Sequence, residues 1–463
     1  MQRDRRGPAA ARRDEDRAAA LALRRWPGLT QEVGETRSMQ RALLFLAAGL
    51  WLGCGSSGAG AANNGATAGV TAGGGDGASV GSTSASSTSG GGAGGTSASG
   101  DAGGSGAGGG GSQAERAFVV YVGGHEGLFA FRLDGADGAL SAVQGPLDAE
   151  MNPTFLAVDP AHRRLFAANE LNEVDGELSG AVSAFRIDPQ GGTLELINRA
   201  SSKGAGPAHL STDRSGRFVL VANYGGGTAA VLPVGQDGAL GQAAFDVSFG
   251  RRTRPHHAVT DPANRFAFVT NLGLDEITQL TFDADTGQMA PNDPKALSLP
   301  ADTTPRHLEF HPNGRFAYVI NESAGSITTL SYDASRGTFT AMATVSTLPD
   351  GASAKGNTAA EIQVSPSGKF VYGSNRGHDS IAIFAVDPER GTLTPAGHAS
   401  TQGMTPRHFQ ISPTGKLMLV ANQDSSNIVA FRVDEATGAL EPTGRVTEVP
   451  EPTYVGIVAL PDR

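Results

Sequence analysis

The chain has 463 residues, with 65 Gly, 25 Pro, one Cys and a formal charge of −10 from 36 basic and 46 acidic side chains. A single cysteine excludes a disulfide framework and any multi-cysteine zinc or iron–sulfur site. The acidic balance excludes a nucleic-acid partner, because a polyanion requires a basic face.

Residues 1–38 are rich in Arg and Ala without a stable apolar period, and are expected to be untranslated or disordered. Met39 opens a different pattern. Gln40 and Arg41 form a short basic region, and Ala42 to Leu52 form an apolar run of 11 residues that ends in Gly53 and Cys54. That run is too short to span a bilayer, which takes about 20 residues, and it has the length of a secretory h-region. Gly-Cys after it resembles the lipobox of bacterial lipoproteins, with Trp51 where that family carries Leu. The resemblance implies a start at Met39, a lipid on Cys54 and a place in the cell envelope of a bacterium, on the periplasmic face or the outer surface. An ordinary signal peptide is the alternative, and an unused signal would leave the protein in the cytoplasm.

Residues 55–113 are almost entirely Gly, Ala, Ser and Thr. Such a segment cannot bury enough apolar surface to offset its ordering entropy. It reads as a disordered tether with a mean reach of roughly 40–45 Å. Residues 1–38 carry nine Arg against six acids and Arg41 adds one charge, so the part after Cys54 carries −14.

The remaining 350 residues repeat. NPTFLAVDPAHRRLFAANE (152–170), GPAHLSTDRSGRFVLVANY (206–224), RPHHAVTDPANRFAFVTNL (254–272), TPRHLEFHPNGRFAYVINE (304–322), TAAEIQVSPSGKFVYGSNR (358–376) and TPRHFQISPTGKLMLVANQ (405–423) align. Each has Asn next to last, at Asn169, Asn223, Asn271, Asn321, Asn375 and Asn422. A strand, a turn and an alternating second strand succeed one another in each unit. An apolar strand such as SITTLSYD, a D-x-x-x-G hairpin turn and a fourth strand follow. Four strands per roughly 50 residues is the pattern of a β-propeller. Fourteen residues before each Asn stand Phe155, His209, His257, His307, Glu361 and His408, and Tyr454 is a seventh equivalent with no strands after it. The strands it lacks stand at the start, in FVVYVGGHEGLFAFRLD (118–134). The expected fold of 114–463 is therefore all-β: a monomeric seven-bladed propeller with four antiparallel strands per blade, closed into a ring by the C-terminal strand. Closure removes the free sheet edges that invite aggregation.

FDADTGQM (282–289) begins like a calcium loop, but it recurs as VDEATGAL and YDASRGTF without the second Asp or the closing Glu, so it reads as a hairpin turn. NYGGG lacks the Gly-Lys-Ser/Thr of a P-loop, and there is no G-x-S-x-G elbow. No metal and no cofactor are expected.

In a propeller the innermost strands line the central channel, and their end loops ring one mouth of it. Pseudo-rotation therefore gathers His209, His257, His307, Glu361 and His408, with Arg306 and Arg407 from the preceding position and Glu170, Glu322 and Arg376 from the residue after each Asn. The imidazoles have a second role open to them, as fasteners to backbone groups of the next blade. The Asn series is expected to satisfy loop backbone groups. Arginine inside a domain of charge −14 marks a focused anion site, and suits bidentate contact with phosphate or carboxylate. Ester hydrolysis needs an activated water, an oxyanion donor and a proton for the leaving alkoxide. Glu322 or His257 can accept the water proton, and Arg306 or Arg376 can stabilise the oxyanion.

The stretches FLAVDP, VANYGGG, PHHAV, NLGLDEI, PRHLEFHPNGRFAYVINE, SNRGHDSIAIFAVD and TPRHFQISPTGK, spread over about 118–460, resemble the lactonase family of seven-bladed propellers. That family includes the cytosolic 6-phosphogluconolactonase of some bacteria and fungal carboxymuconate cyclase. The resemblance implies hydrolysis of the ring ester of an anionic sugar lactone, as in 6-phospho-D-glucono-1,5-lactone plus water giving 6-phospho-D-gluconate, without fixing which lactone. Its cyclase branch implies a catalytic quartet at His257, Arg306, Glu322 and Arg376, with substrate contacts expected from His209, His307, Glu361, Arg407 and His408. The expected partners are the small-molecule lactone and, through the lipid on Cys54, a membrane. A phosphorylated lactone is cytosolic whereas the signal points outward, which favours a second class: a non-catalytic envelope propeller that binds a protein or glycan. Arginines in the channel favour the lactonase.

Overall fold

The computed structural model describes residues 118–460. The 1–38 segment, the signal-like 39–54 stretch with Cys54 and the 55–113 tether lie outside the described residues. Among the described residues, 28 strands form seven antiparallel sheets of four. Blade 1 takes Phe118–Gly124, Gly127–Leu133 and Leu140–Leu147 from the start of the domain and its innermost strand, Pro452–Ala459, from the end. Val120 faces Ile457 across that seam. Blades 2 to 7 follow in chain order, with inner strands Pro153–Val158, Pro207–Thr212, Pro255–Thr260, Pro305–Phe310, Thr358–Val364 and Pro406–Ile411. The ring closes as the repeat arithmetic requires, because Pro452–Ala459 touches the inner strands of both blade 7 and blade 2.

Short polar turns set the strand connections. Asp159, Asp213 and Asp261 each accept two backbone N–H groups four and five residues on, which folds the chain from the first strand into the second. FDADTGQM is a hairpin turn in which Asp283 accepts the N–H groups of Asp285 and Thr286. Its glycine is required. Gly287 has φ +74° and a Cβ there would lie 2.5 Å from Phe218 of the previous blade. Tyr121, Tyr318 and Tyr372 donate their hydroxyls to the equivalent turn glycines Gly192, Gly391 and Gly438 of the following blade.

Seven apolar clusters fill the spaces between neighbouring blades. In one, Phe218, Leu220 and Val231 of blade 3 meet Val269, Leu280 and Phe282 of blade 4. Each large side chain so buried contributes about 1.5–3 kcal/mol, and stability is spread around the ring.

One irregularity positions the site. The register slips at the head of the inner strand in blades 2, 3, 4, 5 and 7, between Pro153 and Phe155, Pro207 and His209, Pro255 and His257, Pro305 and His307, and Pro406 and His408. A bulge sets two residues against one and re-aims a side chain. Arg306 and His307, adjacent in sequence, can thus both serve the channel.

Candidate active site

The mouth is built on Glu322, the residue after Asn321. Its N–H donates to Thr304 O and its carbonyl accepts from Ala359 N of blade 6, both at 2.8 Å, so it is anchored to two blades. Its carboxylate is clamped: Arg306 Nε stands 3.2 Å from Oε2 and Arg376 Nη2 3.2 Å from Oε1. Arg306 is held in turn, donating Nη1 to Ala360 O at 2.6 Å, while Arg376 donates Nη2 to Ala359 O at 3.1 Å. Arg306 is 4% exposed, but Glu322 is 23% and Arg376 14% exposed, so the mouth is open above the clamp. A second pair completes the rim. Arg407 approaches Glu170 at 3.9 Å, and Thr154 donates to the same carboxylate at 2.7 Å.

Electrostatics follow from that wiring. Burial alone would raise the Glu322 carboxyl, but Arg376, Arg306 and Arg407 hold it below the ordinary carboxylate value. It is ionised at neutral pH. Burial and the neighbouring Arg376 bring Arg306 down to about 9, against the pull of Glu322, and it remains cationic. Two cations share one anion, so the clamp carries a net positive charge toward a substrate.

His209, His257, His307, Glu361 and His408 lie together beneath the mouth, packed with Phe155 and Tyr454. Ring centroids are 4.0 Å apart for His209 and His257, 5.1 Å for His257 and His307, and 4.3 Å for His408 and Tyr454. Glu361 Oε2 lies 2.9 Å from His307 Nδ1 and 3.4 Å from His408 Nε2. Two of the imidazoles are interblade fasteners: Ala258 N–H donates to His209 Nδ1 at 3.3 Å and Val455 N–H to His408 Nδ1 at 3.4 Å. Burial, reinforced by Arg306, lowers His257 and His408 to about 3, and burial lowers His209 and His307 well below the usual range. Burial pushes Glu361 up to about 8. With His408 Nδ1 accepting, its proton stands on Nε2 and points at Glu361, and the Glu361 O–H can donate to His307 Nδ1. The floor is thus a neutral cluster in which Glu361 links His307 and His408, while His307 Nε2 and His257 Nδ1 are buried without a hydrogen-bond partner.

The structure brings Arg306, Glu322, Arg376 and Arg407 to the mouth and puts His209, His257, His307, Glu361 and His408 in the floor. The imidazole near the guanidiniums is His256, whose environment includes Arg306, Arg407 and Arg376, whereas His257 senses only Arg306. Tyr224 also belongs to the mouth, its ring edge-on to His256 at 5.6 Å and its hydroxyl within the fields of Arg254, Glu322, Arg306 and Glu170. The repeat held the signal for it: Tyr224 follows Asn223 as Glu322 follows Asn321. Asn223, Asn375 and Asn422 donate to carbonyls of Ser202, Thr347 and Thr401, and Asn271 and Asn321 bond hydroxyls within their own blades. Among the described residues no three His, Cys, Asp or Glu side chains are grouped to hold a metal ion. A separate cavity of about 870 Å³ lies in the seam of blades 1 and 7, by Phe118, Ser412 and Ala459, at the far end of the strands.

This geometry has relatives. The family model described as Lactonase, 7-bladed beta-propeller matches residues 117–457. The chain is 33% identical over 280 residues to a 6-phosphogluconolactonase of Bacillus subtilis, an alignment that covers 58% of this chain and 77% of that protein. It is 30% identical over 283 residues to a 6-phosphogluconolactonase of Serratia proteamaculans, covering 60% and 81%. Among solved structures, the periplasmic gluconolactonase of Pseudomonas aeruginosa matches with a TM-score of 0.68 at 30% identity, over 74% of this chain and 100% of that one. The chain belongs to the lactonase family of seven-bladed β-propellers.

Proposed function

We propose that this lactonase hydrolyses the ring ester of an anionic sugar lactone of the 6-phosphogluconolactone type, at the mouth built on Glu322. The observation that carries the reading is the clamp, one half-open carboxylate held 3.2 Å from each of two guanidiniums. The relatives named 6-phosphogluconolactonase support the substrate class.

In the step we assign, a water bound at Glu322 attacks the lactone carbonyl. Its proton passes to the Glu322 carboxylate, and the new C–O bond forms as the carbonyl π electrons move to oxygen. Arg306 and Arg376 face that oxyanion, and preorganised donors of this kind are worth about 10²–10³ in rate each. Collapse breaks the ring C–O bond, and the proton held by Glu322 passes to the departing alkoxide. The clamp weakens Glu322 as a base, so the guanidiniums carry more of the barrier lowering than the proton transfer does. His256, neutral at neutral pH because burial and the nearby arginines depress it, can accept a hydrogen bond from a substrate hydroxyl.

The test is hydrolysis of 6-phosphogluconolactone, gluconolactone and a carboxylated lactone, corrected for spontaneous opening. Glu322→Gln is expected to lower kcat/KM about 10²-fold or more in a folded protein. Spontaneous rates across the panel with the native protein would replace this reading by the binding propeller.

We also propose export and anchoring at the cell envelope through Cys54. The Met39–Cys54 pattern and the Gly/Ser/Ala tether support it, and the structural relative named periplasmic gluconolactonase is compatible with work outside the cytoplasm. Cys54→Ser is expected to move the protein from the detergent phase to the aqueous phase of a partition assay.

A further inference from the structure

We infer that Arg254 and Tyr224 form a second anion subsite beside the Glu322 clamp, which binds the charged group of the lactone remote from its ring ester. The inference rests on the lactonase reading and deepens it, since it assigns which side chain selects an anionic substrate.

Three observations carry it. The first is position. Arg254 ends the loop that leads into the inner strand of blade 4, and its guanidinium carbon lies 5.8 Å from the centre of the Tyr224 ring. Tyr224 is edge-on to His256, and the fields of Glu322 and Arg306 reach it. Arg254, Tyr224 and His256 thus form one run of side chains whose inner members lie within the electrostatic reach of the clamp.

The second is charge. Arg306 and Arg376 are committed to Glu322, and Arg407 stands against Glu170. Arg254 is exposed and, among the described residues, has no carboxylate partner; its contact is the Tyr224 ring. Arg251 and Arg252, also exposed, stand in the same loop and add to the local positive potential. A guanidinium with open N–H groups, backed by an aromatic face, fits phosphate or carboxylate bidentately.

The third is backbone. The position just before the inner-strand proline is left-handed in six blades, at Asn152 (φ 53°), Gly206 (57°), Arg254 (51°), Thr304 (53°), Thr405 (59°) and Glu451 (39°). Glycine and asparagine tolerate that region, and longer side chains are uncommon there. Blade 4 is the one of these six that places a cation at the position, so the turn that the blades share presents a guanidinium there and nowhere else in the series.

The experiment compares native protein, Arg254→Gln and, as a control on an exposed arginine at the opposite end of the strands, Arg163→Gln on phosphorylated and neutral gluconolactone. Inorganic phosphate serves as an inhibitor of neutral-lactone hydrolysis. Arg254→Gln is expected to lower kcat/KM for the phosphorylated lactone about tenfold relative to that for the neutral one, as loss of one charge-assisted contact would. It should also raise the inhibition constant of phosphate about tenfold, with Arg163→Gln changing neither. Equal losses on both lactones, or unchanged discrimination, would overturn the subsite. So would a native protein that hydrolyses both lactones with the same kcat/KM, and that result would leave the lactonase reading standing. A native protein that opens neither of these lactones nor a carboxylated one removes the lactonase reading, and this subsite falls with it.

Discussion

Arg306 and His307 are consecutive residues of one strand, yet they serve opposite media. Arg306 meets a carboxylate that is open to solvent above, and both groups stay charged. His307 meets Glu361, 8% exposed, in a floor of rings, and both groups are driven toward neutrality. Burial opposes charge in both places. The partner decides the outcome: Glu322 faces two permanent cations, and Glu361 faces imidazoles that can themselves surrender charge. A channel can therefore carry like residue types in two environments, one that keeps them charged and one that neutralises them.

The widest separation between the two layers is expected in activity. Arg306→Ala and Glu322→Gln should each lower kcat/KM about 10²–10³-fold, while Glu361→Gln should stay within a few-fold of the native value. Initial rates on protein with an unchanged circular dichroism spectrum check this, and an equal loss for Glu361→Gln would erase the distinction. Stability should show the reverse order. His209→Ala leaves the Ala258 N–H without its acceptor and should cost about 1–3 kcal/mol in denaturant unfolding, with turnover of the folded fraction preserved. A finer cut separates two adjacent imidazoles. His256→Gln should reduce kcat/KM about tenfold, the worth of about one hydrogen bond, and His257→Gln should reduce it less. The opposite order would show that His257, not His256, meets the substrate.

The smallest effect is a slope. Glu361 is raised from 4.5 to about 8 in the folded chain, so its contribution is complete below the unfolded value and is lost as pH rises through about 8. His257 and His408 are lowered from 6.5 to about 3, so theirs is present above 6.5 and is lost as pH falls through about 3. Between pH 6.5 and 8 only the carboxyl of these three titrates. The Tm of the native protein should fall across that interval relative to Glu361→Gln, and parallel Tm curves would show that Glu361 is already ionised in the floor.

Much of this was legible from repeats. The recurrence of six Asn residues at intervals of 47 to 54 and the unpaired Tyr454 led to seven blades and to closure by the last strand. The same recurrence assigns Arg306, Glu322 and Arg376 to one ring. Depth was not legible. Spacing tells which residues share a ring, but position along the channel axis depends on the bulge after each inner-strand proline, which a sequence does not mark. That is why spacing alone did not separate His256, whose surroundings include three arginines, from His257, which senses Arg306 alone, and did not single out Tyr224.

Closure of blade 1 by Pro452–Ala459 also sets a timetable. Three strands of that blade are among the first of the domain to leave the ribosome, and they wait for a partner that emerges last. Until it arrives the ring is open and one blade has no inner strand. The finished ring of blades is thus a late event of synthesis.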